Sequence, residues 1–282
     1  MKRFPIIGAL LLIPAMLLTA LVGCDKGKVV PEKPADKKDA PVVEKAGAKV
    51  DITAATEGTF TGVVKLKGDA PEPKTDPRIL DHKDKTSCMA GGGKHIQEQT
   101  WLVKDGLVEN VVVSLEPAAG KKFNISDELK KAAEKKQVLL DQPYCAYVPH
   151  IVGLYADVQP IVIKNSAKFL HNVKVIGGVK NGDTDTAVAA NSELPPRTFK
   201  KDNNPIPVQC SIHTWMNAKI ITFDHPYFAV TNEKGEFKID NVPVGEEFTV
   251  YMWHESMSKK TDSGKVTTKA GEKTNLDLEL SK

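Results

Sequence analysis

This 282-residue chain has little net charge of either sign: 39 Lys and Arg stand against 36 Asp and Glu, a formal +3. That balance offers no electrostatic footprint for nucleic acid, which needs a clustered basic surface. Histidine is sparse, seven in all. Beyond the stretch around residue 213 no His-rich cluster and no hydrolytic triad stands out, so an enzyme is the least favoured class. Large apolar residues are almost missing from Asp25 to about Val50, where Lys, Asp, Glu, Pro and Ala dominate. Such a segment cannot bury enough surface to offset chain entropy. Residues 24–52 are therefore expected to be a disordered tether, stiffened by Pro31, Pro34 and Pro41.

The N-terminus is different. Met1-Lys2-Arg3 is basic, and a largely apolar run follows from Phe4 to Val22, broken by Pro5, Gly8, Pro14 and Thr19. This reads as a secretory signal over residues 1–23 rather than a spanning helix. Leu21-Val22-Gly23-Cys24 resembles a bacterial lipobox. The resemblance implies lipidation of Cys24 and anchoring to a membrane of the cell envelope, facing periplasm or exterior. An ordinary cleaved signal with a chance Cys is the alternative. Asp25 resembles a lineage-dependent inner-membrane retention signal, which leaves the choice of membrane open. Loss of residues 1–23 removes Lys2 and Arg3 and no acid, taking the formal charge from +3 to +1.

About 230 residues remain, enough for two modest domains, and their patterning is almost all β. Thr59 to Lys67 alternates as a half-buried strand, and Val108 to Leu115 is apolar enough for burial on both faces. Phe228-Ala229-Val230-Thr231, a turn over Asn232 to Gly235, and Glu236 to Ile239 read as a hairpin. Glu247 to Trp253 and Thr274 to Leu280 supply later strands. A single short, exposed helix is expected after Ser126, which caps Asp127-Glu128-Leu129 and is followed by Lys130, Lys131, Lys135 and Lys136.

The densest chemistry lies in Cys210-Ser211-Ile212-His213-Thr214-Trp215-Met216, with His171 upstream. One thiolate, two imidazoles and a thioether are the ligand set of a blue-copper electron-transfer centre, in which Met is the weak, long axial ligand. The C-x2-H-x2-M triplet converges on one ion only from a tight loop. Pro205 and Pro207 argue against helix there, and Val208 reads as the end of a strand feeding it. Taken singly, a buried Cys, a gap-filling Met or a lone His is an ordinary structural residue.

This loop resembles the copper-binding loop of cupredoxins, with the short spacing of amicyanin rather than the longer one of plastocyanin. Cys145-Ala146-Tyr147-Val148-Pro149-His150-Ile151, then Ile161 to Asn165, then Leu170-His171-Asn172-Val173 resemble the upstream pattern of that family. The resemblance runs from about Leu139 to Phe223. It implies His171 and His213 as imidazole ligands, Cys210 as thiolate and Met216 as axial thioether to one type 1 copper ion. Asn172 is implied as the residue that braces the copper loop, an outer-shell role that orients ligands.

The flanking strands resemble a carboxypeptidase-regulatory-like β-sandwich, whose first part lies at Gly58–Leu66 and Asn110–Leu115. Its second part follows only at Thr231–Gly245 and beyond, with Phe248 at the usual aromatic position. The expected fold is all-β: a cupredoxin-like Greek-key sandwich, residues 119–223, inserted in or adjacent to a small sandwich of residues 53–118 and 224–282. Two tandem β domains are the alternative.

With Cys24 and Cys210 so assigned, Cys88 and Cys145 remain, and an oxidising compartment makes a disulfide between them the expected outcome. The rival is a second metal site using Cys145 with His150, or Cys88 with His82 and His95. His225 and His254 follow strand-like segments, where closing turns is favoured over a surface metal site.

The leading functional expectation is a lipid-anchored carrier of single electrons between a redox donor and a redox acceptor of unknown identity. The cupredoxin resemblance implies His213 as the electron port, on an exposed loop with Ile212, Thr214 and Trp215. Trp215 alternatively shields the ion. Copper storage or delivery, and a non-redox envelope scaffold, are the competing readings.

Overall fold

The computed structural model describes residues 50–53 and 57–282. The expected signal, the lipidation position Cys24 and nearly all of the tether lie outside the described residues. No helix among the described residues is long and apolar enough to cross a membrane.

The described chain is an all-β sandwich protein with two cores. The long strand Glu57–Lys67 alternates buried and exposed residues, as period-2 geometry requires. It pairs antiparallel with Glu236–Pro243, with Ile239 opposite Phe60 and Pro243 opposite Glu57. On its other side it runs parallel to Lys273–Asn275 and Leu278–Ser281. A second sheet runs Phe228–Val230, Val112–Pro117, Glu247–Trp253 and Thr261–Thr267. Phe60, Val64, Val113, Leu115, Phe237, Phe248 and Val250 from these two sheets share one core. Gly62 sits where a β-carbon would lie 2.1 Å from the Leu276 carbonyl oxygen, so only Gly permits that close pairing.

Between Val112–Pro117 and Phe228–Val230 in sequence lies the other half. Its five-stranded sheet runs Asp183–Val188, His171–Ile176, Ile206–Gln209, Asn217–Phe223 and Ile151–Tyr155. A three-stranded sheet of Ser192–Glu193, Ile161–Asn165 and Val138–Asp141 accompanies it. Leu140, Tyr147, Leu154, Ile163, Val173, Phe199, Val208 and Ile220 make the second core.

Several details depart from the sequence expectations. Phe228–Val230 and Glu236–Pro243 do not pair as a hairpin: the first joins Val112–Pro117 and the second joins Glu57–Lys67. The turn between them, where Asn232 Oδ1 accepts from the Lys234 and Glu236 amides, carries the chain from one sheet to the other. Val108 to Leu115 is not one strand. Asn110 takes a positive φ of 66° and splits it into Leu107–Val108 and Val112–Pro117. The end of the expected tether is ordered, because Val50–Ile52 pairs with Lys121–Phe123 and Ile52 is buried. The segment from Pro77 to Ile96, expected with the sandwich, packs Ile79 and Cys88 into the other core. Phe123, Ile125 and Leu129, expected with the copper half, pack into the sandwich core. The helix Asp127–Lys135 forms as expected, with Ser126 Oγ accepting from the Leu129 amide.

The halves meet through specific contacts. The Phe223 and Phe228 rings stack with centroids 4.3 Å apart. Buried His150 places Nδ1 2.9 Å from the Asn217 carbonyl oxygen and Nε2 2.7 Å from Glu255 Oε1, while Lys219 pairs with the other Glu255 oxygen. Burial alone would raise the Glu255 carboxyl. The His150 hydrogen bond and the Lys219 charge outweigh it and hold the group at about 2, against an ordinary 4.5. A carboxyl depressed on folding contributes stability that is fully present above 4.5 and is lost as pH falls through about 2. Glu255→Gln is therefore expected to lower stability at neutral pH and to lose less between pH 4.5 and 2 than wild type does. Urea midpoints across that range, with parallel curves for both proteins, would contradict this.

Candidate metal centre

Ile206–Gln209 and Asn217–Phe223 are antiparallel neighbours, with Gln209 directly opposite Asn217. The seven residues between them must therefore turn back within the width of one strand pair. Two backbone bonds draw the loop in: Cys210 N–H to the Met216 carbonyl at 3.2 Å, and Met216 N–H to the His213 carbonyl at 2.9 Å. The His213 amide also donates to Cys210 Sγ at 3.4 Å. His171 opens the adjoining strand His171–Ile176, whose Lys174 lies opposite Gln209.

These elements bring three donor atoms together. His171 Nδ1 and His213 Nδ1 lie 3.1 Å apart, and Cys210 Sγ lies 4.0 Å from the first and 3.8 Å from the second. His171 and His213 are fully buried; Cys210 and Met216 are each 2% exposed. Burial, then the neighbouring His213, pushes His171 down to about 4. Burial also lowers His213, against the opposing hydrogen bond of Asp84. Both rings are thus neutral at neutral pH and offer lone pairs rather than charge.

The donor set fits one transition-metal ion. Bonds of about 2.0 Å to nitrogen and 2.3 Å to sulfur fit inside a triangle with edges of about 3–4 Å. His171 Nδ1 faces His213 Nδ1 and Cys210 Sγ, two further lone-pair donors, which is how ligands gather around an ion rather than how buried polar groups satisfy one another. A cysteine sulfur with two imidazoles suits soft or borderline ions such as copper and zinc rather than oxygen-seeking ones, and Met216 is buried at the end of the same loop.

Asn172 braces the loop as expected: its Oδ1 accepts from the Ser211 amide at 3.0 Å. Sequence reasoning missed what holds Asn172 itself. Its Nδ2 donates to Asp185 Oδ1, and Asp185 Oδ2 accepts from Ser211 Oγ at 3.2 Å. Its carbonyl oxygen accepts from Tyr147 Oη at 3.1 Å and Gln142 Nε2 at 3.2 Å. Burial pushes the Tyr147 hydroxyl well above its usual range, so it remains a donor. Asp185 sits directly across the strand pair from Lys174, among exposed residues, and nothing in its local pattern marks it.

The exposed port expected at His213 is not there. The segment around the short helices Pro77–Leu80 and Lys85–Met89 covers the loop. Asp84 Oδ2 lies 3.1 Å from His213 Nε2, and the His82 ring packs at 4.9 Å from His213 and 5.1 Å from Trp215. Arg78 Nη1 donates to the Thr214 carbonyl at 2.9 Å. Trp215 is only 7% exposed, donates its Nε1–H to the Cys145 carbonyl at 3.0 Å, and shields the centre.

Cys88 and Cys145 form a disulfide, so neither serves the rival metal sites with His150, His82 or His95. His225 and His254 are buried rather than surface ligands. His225 Nδ1 accepts from the Tyr227 amide, and His254 pairs with Ser256 Oγ while lying 4.3 Å from the Trp101 ring.

No family model and no curated protein matches this chain. Among solved structures it is similar to a copper-containing nitrite reductase from Thermus scotoductus, at 17% identity and TM-score 0.29, covering 32% of this chain. The chain spans only 23% of that reductase. It is also similar to amicyanin from Paracoccus versutus, at 17% identity and TM-score 0.28, over 33% of this chain and 88% of amicyanin. A purple cupredoxin from Nitrosopumilus maritimus is similar at 12% identity and TM-score 0.26, over 32% of this chain and all of that one. The site rests on the distances above rather than on these partial likenesses.

Asn172→Ala strands the Ser211 amide and removes a partner from Asp185. It is expected to cost about 1–3 kcal/mol of stability, measured as a lowered denaturation midpoint with the β-type circular dichroism retained. An unchanged midpoint would show that the brace carries no load.

Proposed function

We propose that this protein is a type 1 copper protein of the cell envelope that carries single electrons between redox partners. The observation that supports it most directly is the buried triangle of His171 Nδ1, Cys210 Sγ and His213 Nδ1. His171, Cys210 and His213 would hold the ion, and Met216, buried at the end of the same loop, would be its axial thioether. Copper so bound would supply a one-electron couple between Cu(I) and Cu(II). The residues around it do the rest. Asn172, Asp185 and Tyr147 fix the loop so that the ligands change place little between oxidation states, and Trp215 with the covering segment keeps water out. A second ligand set for turnover of a substrate is not part of this reading, so no catalytic activity is proposed.

Storage or delivery of Cu(I) is the second reading, and one observation favours it. His213 has no exposed edge, because Asp84 and His82 cover it. An electron must then leave through the covering segment, whose Asp84 and His82 side chains are 35% and 22% exposed, one side chain beyond the ring.

The metal-free protein is expected to take up one Cu(II) with an intense visible thiolate-to-copper band that bleaches and returns on reduction and reoxidation. Cys210→Ser is expected to abolish the band, whereas Met216→Leu keeps it and raises the potential. Tight Cu(I) binding without that band favours delivery, and an unchanged potential in Met216→Leu defeats the axial role.

Lipid anchoring through Cys24 belongs to the same proposal. Cys24→Ser is expected to release the protein from the membrane fraction of expressing cells; retention there would count against the anchor.

A further inference from the structure

His213 is gripped from both sides. Its Nδ1 faces Cys210 Sγ and His171 Nδ1, and its Nε2 faces a carboxylate that belongs to a distant stretch of chain, 129 residues earlier. Asp84 is not a loose surface group. Its carbonyl accepts from the Cys88 amide at 3.0 Å, and Cys88 is bonded to Cys145, whose own carbonyl is tied to Trp215. On the other side, Arg78 is clamped by both oxygens of Asp76 and reaches the Thr214 carbonyl. The Asp84 amide itself donates to His82 Nδ1 at 3.2 Å. Anchors on both flanks thus set the carboxylate against the ring.

We propose that Asp84 is a positioning residue that holds the hydrogen of His213 on Nε2, leaves the Nδ1 lone pair for the ion, and lowers the reduction potential of the centre. This rests on the copper reading above and goes beyond it. The physical chain is short. A carboxylate accepts and does not donate, so the nitrogen facing it carries the hydrogen and the tautomer is settled. A hydrogen bond to an anion makes the ring a stronger donor to an ion on its other nitrogen. The doubly charged Cu(II) gains more from that than the softer Cu(I). The oxidised state is therefore favoured, and the potential falls.

The experiment uses the full chain and its Asp84→Asn variant, which keeps the shape and removes the charge. Outer-shell partners of this kind are worth about 10–100-fold in metal affinity. If that loss falls on Cu(II) alone, the potential rises by about 59 mV for each tenfold change in the one-electron equilibrium. The expected result is thus a rise of about 59–118 mV on this conversion, with Asp84→Glu brought back toward wild type. Nitrogen NMR of the metal-free protein should show the His213 hydrogen on Nε2, a readout independent of copper.

A potential unchanged in Asp84→Asn, with the visible band intact, overturns this inference and leaves the copper reading standing. A His213 hydrogen on Nδ1 in the metal-free wild type overturns it as well. So does a second equivalent of Zn(II) that is lost in His82→Ala, since Nε2 would then be bonding an ion instead of donating a hydrogen. Failure of the wild type to bind copper removes the copper reading and takes the proposed potential with it.

Discussion

Gln209 and Asn217 face each other across an antiparallel strand pair, and the centre depends on that closure. A loop of seven residues between them has no slack. Its Cys210 amide meets the Met216 carbonyl and its Met216 amide meets the His213 carbonyl, so Cys210 and His213 are turned inward by backbone geometry before any ion is considered. His171 adds the third donor because its strand is the next neighbour in the same sheet. The network of Asn172, Asp185, Ser211 and Tyr147 then stops this sheet edge from relaxing. Side chains held this way are oriented before any ion arrives, as outer-shell hydrogen bonds orient metal ligands.

The same loop is also where the rest of the chain converges. His150 bonds the Asn217 carbonyl, one residue beyond Met216, and is tied through Glu255 to the far sandwich. The segment carrying Asp84 leaves the long strand Glu57–Lys67 of that sandwich and returns to it through Leu107–Val108. Two carboxylates thus reach the neighbourhood of one hairpin loop from outside it, Asp84 at His213 and Glu255 through His150 at Asn217. A sandwich that only shared a chain with the site would not need such contacts.

How much of this could be read from the residues alone follows from the range of each interaction. Cys210, His213 and Met216 announce themselves because ligands on one tight loop must sit a few residues apart. His171 and Asn172 are legible only through the resemblance of Leu170-His171-Asn172-Val173 to cupredoxins, because a lone His carries little signal of its own. Asp84, Asp185 and Gln142 were not legible, since each acts through space on residues far away in sequence and lies in an unremarkable local context. Asp84 was also hidden by an assumption: the second imidazole was expected to be bare, and only the packing of Pro77 to Ile96 shows it covered. The Asn232–Gly235 turn was misread for another reason. The side-chain caps of Asn232 that make a tight turn are the same whether the chain returns to its own sheet or crosses to the next. Asn110, by contrast, is a residue type that tolerates positive φ, and its break in an apolar run was a readable signal that hydrophobicity outweighed.

The cover over His213 bears on both proposed roles in opposite ways. It removes the direct ring edge through which a partner would reach the ion, which suits a protein that keeps its metal. Yet it also replaces water at Nε2 with a fixed acceptor, and a fixed acceptor costs no reorganisation when charge moves through the ring. A binding protein gains little from that second property, because affinity is already supplied by the buried thiolate and two imidazoles. A carrier gains from it at every transfer. The segment carrying Asp84 is anchored on one flank by the Cys88–Cys145 disulfide and on the other by the Arg78 clamp, where a shield alone would need only bulk, and Trp215 already provides that. Position rather than coverage is what distinguishes Asp84 from Trp215, and it is on that position that the proposed role of Asp84 rests.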